Sequence, residues 1–180
     1  MKLLRTIRLD PSDTFVFAQA AEPGEWAVSG AFVFWEDDPA VLEGKARSAF
    51  RGGFLGVQSV GWSTLVQIVE AKEEDRAAVV EALARRLVES FGAPDLATAR
   101  AAAEEEVAFA ASLCNHPHDT LIAVHRTCEE GAVREAFRTV RPRGSLKPLR
   151  AFSFLEVEGE DDEAPSDQVD LVALAEPVSK

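Results

Sequence analysis

The chain has 180 residues, of which 47% are hydrophobic, and it carries a net charge of −12. This length and composition predict one folded domain with a sizeable core and exclude a disordered chain, and the absence of a run of 18 apolar residues excludes a transmembrane helix. Residues 156–180 hold nine acids and one lysine, so the rest of the chain is nearly neutral, which argues against a general nucleic-acid binder because such proteins neutralise phosphates with many cations.

The first third of the chain is predicted to contain three strands followed by a helix. Residues 3–9, 14–20 and 26–35 are rich in the Phe, Val, Ile and Trp that a half-buried sheet prefers, and turn residues separate them. Asp37 and Asp38 before Pro39 are typical of a helix start, and Gly52-Gly53 of its end. The glycines of residues 52–56 follow a helix rather than precede one, so they indicate capping and close backbone passage, not a phosphate loop.

The rest of the chain is predicted to be a strand, two long helices and a hairpin. Residues 62–71 form the strand, and residues 73–91 have the clearest helical periodicity. A second helix runs from about residue 95 to 114 or 115, with Glu104, Glu105 and Glu106 on a solvated face. Residues 120–128 and 132–140 read as two strands around a three-residue loop, and residues 150–157 as a last strand.

Together these elements predict an α+β fold. We expect a largely antiparallel sheet with about three helices packed on one face, in a single domain over residues 1–157. The acidic run over residues 158–180 is predicted to be an unstructured tail, because it cannot bury enough apolar surface to fold.

Residues 114–128, CNHPHDTLIAVHRTC, hold both cysteines and all three histidines of the chain. Pro117 ends the preceding helix, which leaves Cys114, His116 and His118, with Asp119, as a candidate metal site at the helix end. The competing interpretation is that Cys114 fills the apolar stripe of the helix and the histidines are polar loop residues. The other two residues are separated from this group, because a strand over residues 120–128 places His125 and Cys128 on opposite faces and Cys128 too far from Cys114 for a disulfide.

A basic stretch begins in the second strand of the hairpin and continues beyond it. Its cations are Arg134, Arg138, Arg141, Arg143, Lys147 and Arg150, with Glu135 as the opposing charge. Three interpretations stay open: contact with an anionic ligand or nucleic acid, pairing with the acidic tail or an acidic partner, and protection of an exposed sheet edge. Only Phe137 is aromatic within the stretch, so stacking on bases is poorly supported.

Three segments of the chain resemble an uncharacterised family of small bacterial proteins that is mainly proteobacterial. The segments are MKLLRTIRLDPSDTFVFAQAAEPGEWAVSGAF, AEEEVAFAASLCNHP and TLIAVHRTCEEGAVREAFRT. The resemblance covers about residues 1–145 and leaves out the tail. It implies a cytosolic single-domain protein, and because the family has no assigned activity it supplies no catalytic residues.

We therefore predict a small cytoplasmic binding or accessory protein without catalytic activity or cofactor. The free thiols and the lack of an export signal agree with this location. A protein partner would be contacted through the sheet edge, the acidic tail and the basic strand with Arg134, Arg138, Arg141 and Arg143, and the same edge is open to a second copy of the chain. The alternative is a metal-binding protein or metalloenzyme, with zinc or a similar ion on Cys114, His116 and His118. Because no complete catalytic set can be assembled, enzyme activity is left open.

Overall fold

The computed structural model describes residues 1–129, 132–142 and 155–157. The strands are β1 (Lys2–Ile7), β2 (Trp26–Val28), β3 (Phe54–Gly56), β4 (Trp62–Ser63), β5 (Leu65–Glu70), β6 (Leu121–Glu129), β7 (Ala132–Pro142) and β8 (Leu155–Val157). The helices are α1 (Ser12–Val16), α2 (Gly44–Gly52), α3 (Glu73–Ser90) and α4 (Leu96–Ser112), with a 3-10 helix at Ala31–Phe34. The strands form one sheet in the order β4-β3-β2-β1-β5-β6-β7-β8, and neighbouring strands pair antiparallel.

The pairing register divides the side chains of the sheet between two faces. Cross-strand partners share a face, so Leu4, Ile68, Val66, Ile122 and Val124 lie together on what we call the inner face. All five are buried in the main apolar cluster. The opposite, outer face carries His125 and Arg138, both of which are exposed. The sheet is thus apolar on one side and partly solvated on the other, as antiparallel sheets commonly are.

The two long helices cover the inner face. Helix α3 buries Val80, Leu83 and Leu87, and α4 buries Ala103 and Val107, in the same cluster as the inner-face residues of the sheet. These positions repeat every three or four residues, which places them on one side of each helix. The small alanines of α4 allow its backbone to approach the sheet closely. A second, smaller apolar cluster contains Phe17, Phe34, Ala49 and Phe50, with Trp62 of β4 packed against it.

The predicted α+β fold with a largely antiparallel sheet is confirmed, and so are α3, α4 and the β6–β7 hairpin within a few residues. The hairpin loop is shorter than predicted, because Glu129 pairs with Ala132 and leaves two residues between the strands. Of the predicted last strand, only β8 lies in the described residues, and the tail over residues 158–180 lies outside them. No helix of the described part combines the length and the apolar character needed to cross a membrane.

The predicted strand over residues 14–20 is wrong, because this segment begins as α1. The Asp13 carboxylate accepts hydrogen bonds from the backbone N–H of Thr64 at 3.2 Å and the hydroxyl of Thr64 at 2.5 Å, which fixes the segment as a turn and short helix. Phe17 is buried, whereas Phe15 is exposed. The alternation of aromatic residues therefore does not indicate a strand; it reflects the packing of one buried side chain, that of Phe17.

Two other predictions in the first third of the chain need correction. The strand that starts at Trp26 ends at Val28, because Gly30 adopts a φ of 77° and turns the chain into the 3-10 helix. Helix α2 begins at Gly44 rather than near residue 37, since the Asp38 side chain accepts a hydrogen bond from Ala40 in a local turn. The short strand β3 was not predicted, because two glycines precede it and a third is its last residue.

Replacement of Glu25 by Ala should lower the free energy of unfolding by about 2–4 kcal/mol, because the buried carboxylate accepts several hydrogen bonds that fix the β3–β4 turn. Its donors include the backbone N–H of Gln58 at 2.7 Å, that of Ser59 at 2.9 Å and that of Glu22 at 2.7 Å. Urea denaturation measures the effect, with Glu22→Ala, an exposed side chain nearby, as the control. Equal free energies of unfolding of the two variants would contradict this structural role of the Glu25 carboxylate.

Candidate functional site

A charged side chain, Arg126, lies within the inner face of the sheet and is 0% exposed. Side chains alternate along β6, so Arg126 shares its face with Ile122 and Val124, while His125 points to the outer face. Burial of a charge is costly unless hydrogen bonds and an opposite charge compensate it. The surroundings of Arg126 must therefore supply hydrogen-bond acceptors and an opposite charge.

Hydrogen bonds occupy the guanidinium on every side. Nη1 donates to the carbonyl oxygens of Phe50 at 3.1 Å and Gly53 at 2.7 Å, at the C-terminal end of α2. Nη2 donates to the carbonyl oxygen of Ser29 at 2.5 Å and to its hydroxyl at 3.0 Å. Nε donates to Glu135 Oε1 at 2.7 Å. Because the last carbonyls of a helix lack intrahelical partners, Arg126 supplies donors where α2 needs them.

Arg126 thus connects its own hairpin to two parts of the chain that are distant in sequence. It joins the end of α2, the turn after β2 and the two strands of the β6–β7 hairpin. The hydroxyl of Ser29 also donates to Glu135 Oε1, which completes a closed network. Burial lowers the pKa of Arg126, and the carboxylate of Glu135 opposes that effect. An arginine stays protonated under such conditions, so Arg126 keeps its positive charge beside the Glu135 carboxylate.

A second ionisable group, Glu106 of α4, lies close to this network. Burial, followed by repulsion from Glu135, raises the pKa of Glu106 to about 7, while Arg126 acts in the opposite direction. Oε2 of Glu106 is inaccessible to solvent and has no hydrogen-bond partner within the described residues. A carboxyl group that titrates near neutrality and lacks a partner is a feature of binding and catalytic sites.

Glu106 lines a cleft of about 880 Å³. One wall is formed by residues 32–37, which follow β2, and the other by the end of α3, the start of α4 and the loop between them. Phe32 and Phe91 meet across the two walls edge to face, with their ring centroids 5.5 Å apart. This volume lies in the range of small-molecule sites in proteins.

The sequence pattern placed Glu106 wrongly and led to no prediction for Arg126. Glu106 was assigned to a solvated face together with Glu104 and Glu105, and only those two are exposed. Glu106 lies three residues after Ala103 and four before Ala110, both in the apolar stripe of α4, and this spacing was the available signal. For Arg126 the signal was the two-residue period of β6, which puts it in register with Ile122 and Val124.

The predicted metal ligands Cys114, His116 and His118 follow α4, but they do not converge. Cys114 is buried in the main cluster, its Sγ lies 3.4 Å from the Ala110 carbonyl, and burial raises the pKa of its thiol to about 11. His118 Nδ1 lies 2.9 Å from the carboxylate of Asp119, and His116 receives a hydrogen bond from Lys2 on its carbonyl oxygen at 2.8 Å. The described residues contain no group of three His, Cys, Asp or Glu side chains placed to hold a metal, so the metal site remains a prediction without support from this geometry.

The remaining residues of the Cys/His segment are separated as predicted. His125 pairs with Ala136 and Cys128 with Val133, so they lie on opposite faces of β6. Both cysteines are free thiols. Cys128 instead borders a cavity of about 470 Å³ at the end of α2, together with Arg47 and Arg51.

The predicted basic strand corresponds to β7. Arg134 and Arg138 are exposed, and their partners Thr127 and Ala123 place them on the outer face. Arg134 Nε forms an ion pair with Glu129 at 2.8 Å. Arg141 belongs to β7 by its backbone pairing, but its side chain, like all of Arg143, lies outside the described residues.

Comparison with known proteins shows that the chain is similar to one protein family. A model of a family of unknown function (DUF6505) matches residues 1–155, which supports the resemblance to an uncharacterised family and extends beyond residue 145. No curated protein and no solved structure matches the chain significantly.

Replacement of Arg126 by Met should destabilise the protein by about 3–5 kcal/mol, because Glu135 and three backbone carbonyls would remain buried without their donor. Chemical denaturation measures the loss. Arg138→Met, at an exposed position of the neighbouring strand, is the control and should change stability by less than about 0.5 kcal/mol. A loss in the Arg126 variant no larger than that of the control would refute the network.

Replacement of Glu106 by Gln should make the protein less sensitive to pH. The folded-state pKa of Glu106 is about 7, above the ordinary 4.5, so the wild-type protein loses stability as pH rises through this interval. Above pH 7 the variant should be more stable than wild type by about 2–3 kcal/mol, and the difference should shrink towards pH 4.5. Thermal unfolding at several pH values, with the exposed Glu104→Gln as control, checks this; a difference independent of pH would contradict it.

Proposed function

The chain belongs to DUF6505, a family of unknown function, and on that premise we propose that it is a binding or accessory protein rather than an enzyme. Its partner would be an extended acidic segment of another protein, and its binding surface the exposed edge and outer face of β7. As part of the same proposal, the protein acts in the bacterial cytoplasm. The observation that carries the proposal is a sheet edge that bears two exposed arginines.

Within the described residues, one side of strand β7 is largely uncovered. It pairs with β6 along Ala132–Val140, but with β8 only at Val140–Pro142. In the described part of the chain, no strand therefore lies beside Ala132–Thr139 on the side away from β6. An exposed strand edge offers unpaired N–H and C=O groups, which an extended peptide can use to add a strand.

The side chains of this edge favour an acidic partner. Arg134, Ala136 and Arg138 are exposed and follow one another on the outer face, so the small alanine separates two cations by about 13 Å along the strand. The ion pair between Arg134 and Glu129 is exposed on both sides, and such pairs contribute little, so a carboxylate of a partner can replace Glu129.

A second copy of the chain fits this edge less well. If two β7 strands paired antiparallel around Ala136, Arg134 of one copy would lie opposite Arg138 of the other. Like charges directly opposite each other destabilise a strand pair. The acidic tail predicted to contribute to partner binding lies outside the described residues, so its role stays a prediction.

Binding of a fluorescent eight-residue peptide with alternating Glu and Val should be measurable by anisotropy at low salt. The full-length protein should bind it, and Arg134→Glu/Arg138→Glu should weaken binding by about tenfold or more, because two attractive contacts become repulsive. Lys45→Glu/Arg47→Glu, on exposed positions of α2, changes the net charge equally and serves as the control.

Three results would count against the proposal: no binding by the wild-type protein, equal losses in the two double variants, or tighter binding of a matched Lys and Val peptide. Size-exclusion chromatography of the unliganded protein tests separately whether the edge of β7 forms a dimer. A dimer that dissociates in the Arg134→Glu/Arg138→Glu variant would assign the edge to a second copy of the chain instead.

A further inference from the structure

The cleft between residues 32–37 and the α3–α4 turn has properties that none of the preceding roles uses. We propose that it binds a small organic amine with an apolar body, whose ammonium group pairs with the carboxylate of Glu106. The inference is independent of the partner surface on β7, because the cleft is lined by a different set of residues.

The shape and the walls of the cleft suit the apolar part of such a ligand. Phe32, Leu87, Phe91 and Pro94 supply much of its lining. Its volume of about 880 Å³ accommodates a ligand with one or two rings, and predominantly apolar walls with few polar groups are typical of small-molecule sites. The edge-to-face contact of Phe32 with Phe91 fixes the two walls relative to each other.

The charges around the cleft favour one sign of charge on the ligand. Among the described residues, four carboxylate side chains line it and no lysine or arginine does: Glu36, Asp37, Glu105 and Glu106. A concave surface lined by one sign of charge attracts ligands of the opposite sign and repels those of the same sign. An anionic ligand is therefore disfavoured, and a cation is favoured.

Glu106 supplies the specific contact. Its side chain lines the cleft, and its Oε2 has no hydrogen-bond donor within the described residues. Because Oε2 is inaccessible to solvent, the carboxyl group rotates about its last torsion when the ammonium binds, which brings this oxygen to the cleft. A buried acceptor without a partner is costly, and a ligand that brings an N–H group removes that cost. A charged ammonium forms a stronger hydrogen bond with a carboxylate than a neutral donor does.

Trp35 adds a second element of recognition at the cleft. Its side chain lines the cleft and is 79% exposed, which is unusual for so large an apolar residue. An indole ring in this position can stack on an aromatic ligand body or contact its cationic group through its face. A binding role explains this exposure.

Isothermal titration calorimetry at pH 8 with three probes of similar size tests the proposal. The probes are 2-phenylethylamine, 2-phenylethanol and 3-phenylpropanoate, which are cationic, neutral and anionic. The full-length protein should bind the amine saturably and about tenfold or more tightly than the alcohol, and it should not bind the anion measurably.

Two pairs of variants locate the binding. Glu106→Gln should weaken binding of the amine by about tenfold or more, whereas Glu104→Gln, an exposed residue of the same helix, should leave it unchanged. Ala102→Trp should fill the cleft and abolish binding, whereas Ala101→Trp, which lies on α4 outside the cleft lining, should not. Circular dichroism confirms that each variant is folded.

The proposal is overturned if the amine does not bind, if the amine and the alcohol bind equally, or if the members of either variant pair behave alike. A peptide with one lysine that binds more tightly than the amine, and loses its affinity in Glu106→Gln, would assign the cleft to a protein side chain and also overturn the proposal.

Discussion

One buried guanidinium, that of Arg126, is the interaction on which the arrangement of this protein depends. Antiparallel sheets usually fill their covered face with apolar side chains, and most of the inner face follows this rule. Arg126 departs from it at the point where α2, the turn after β2 and the β6–β7 hairpin meet. An apolar residue there would leave the carbonyls at the end of α2 without donors, so the charge is part of how these elements fit together.

The same constraint positions the two surfaces for which roles are proposed. Because Arg126 binds Glu135 on the inner face, the alternation of β7 sends Arg134, Ala136 and Arg138 to the outer face. The Ser29 contact fixes the chain just before the 3-10 helix, and the residues after it form one wall of the cleft. Glu106 in the opposite wall responds to the charges of Glu135 and Arg126. The network therefore lies between the edge of the sheet and the cleft.

The sequence predicts those elements whose local pattern agrees with their tertiary environment. Helices α3 and α4 and the β6–β7 hairpin have long, regular periodicity, and the structure places them within a few residues of the prediction. The secondary structure of the first third of the chain was harder to predict, because its aromatic residues resemble a strand pattern. The direction of the chain is set there by the contact of Asp13 with Thr64 and by the positive φ of Gly30. The strand pattern predicts a basic strand, and the structure shows that Arg134 and Arg138 in it are exposed. The burial of Glu106 and Arg126 could not be predicted in this way, because it depends on packing between distant elements.

The most direct test of this account is hydrogen exchange of the arginine side chains, followed by NMR of the guanidinium groups in the full-length protein. With 0% exposure and a hydrogen bond from each of its nitrogens, Arg126 should exchange its N–H protons far more slowly than the exposed Arg138. Its Nη groups should also give separate signals, since the fixed acceptors prevent rotation. Exchange of Arg126 as fast as that of Arg138 would contradict the buried network and the account built on it.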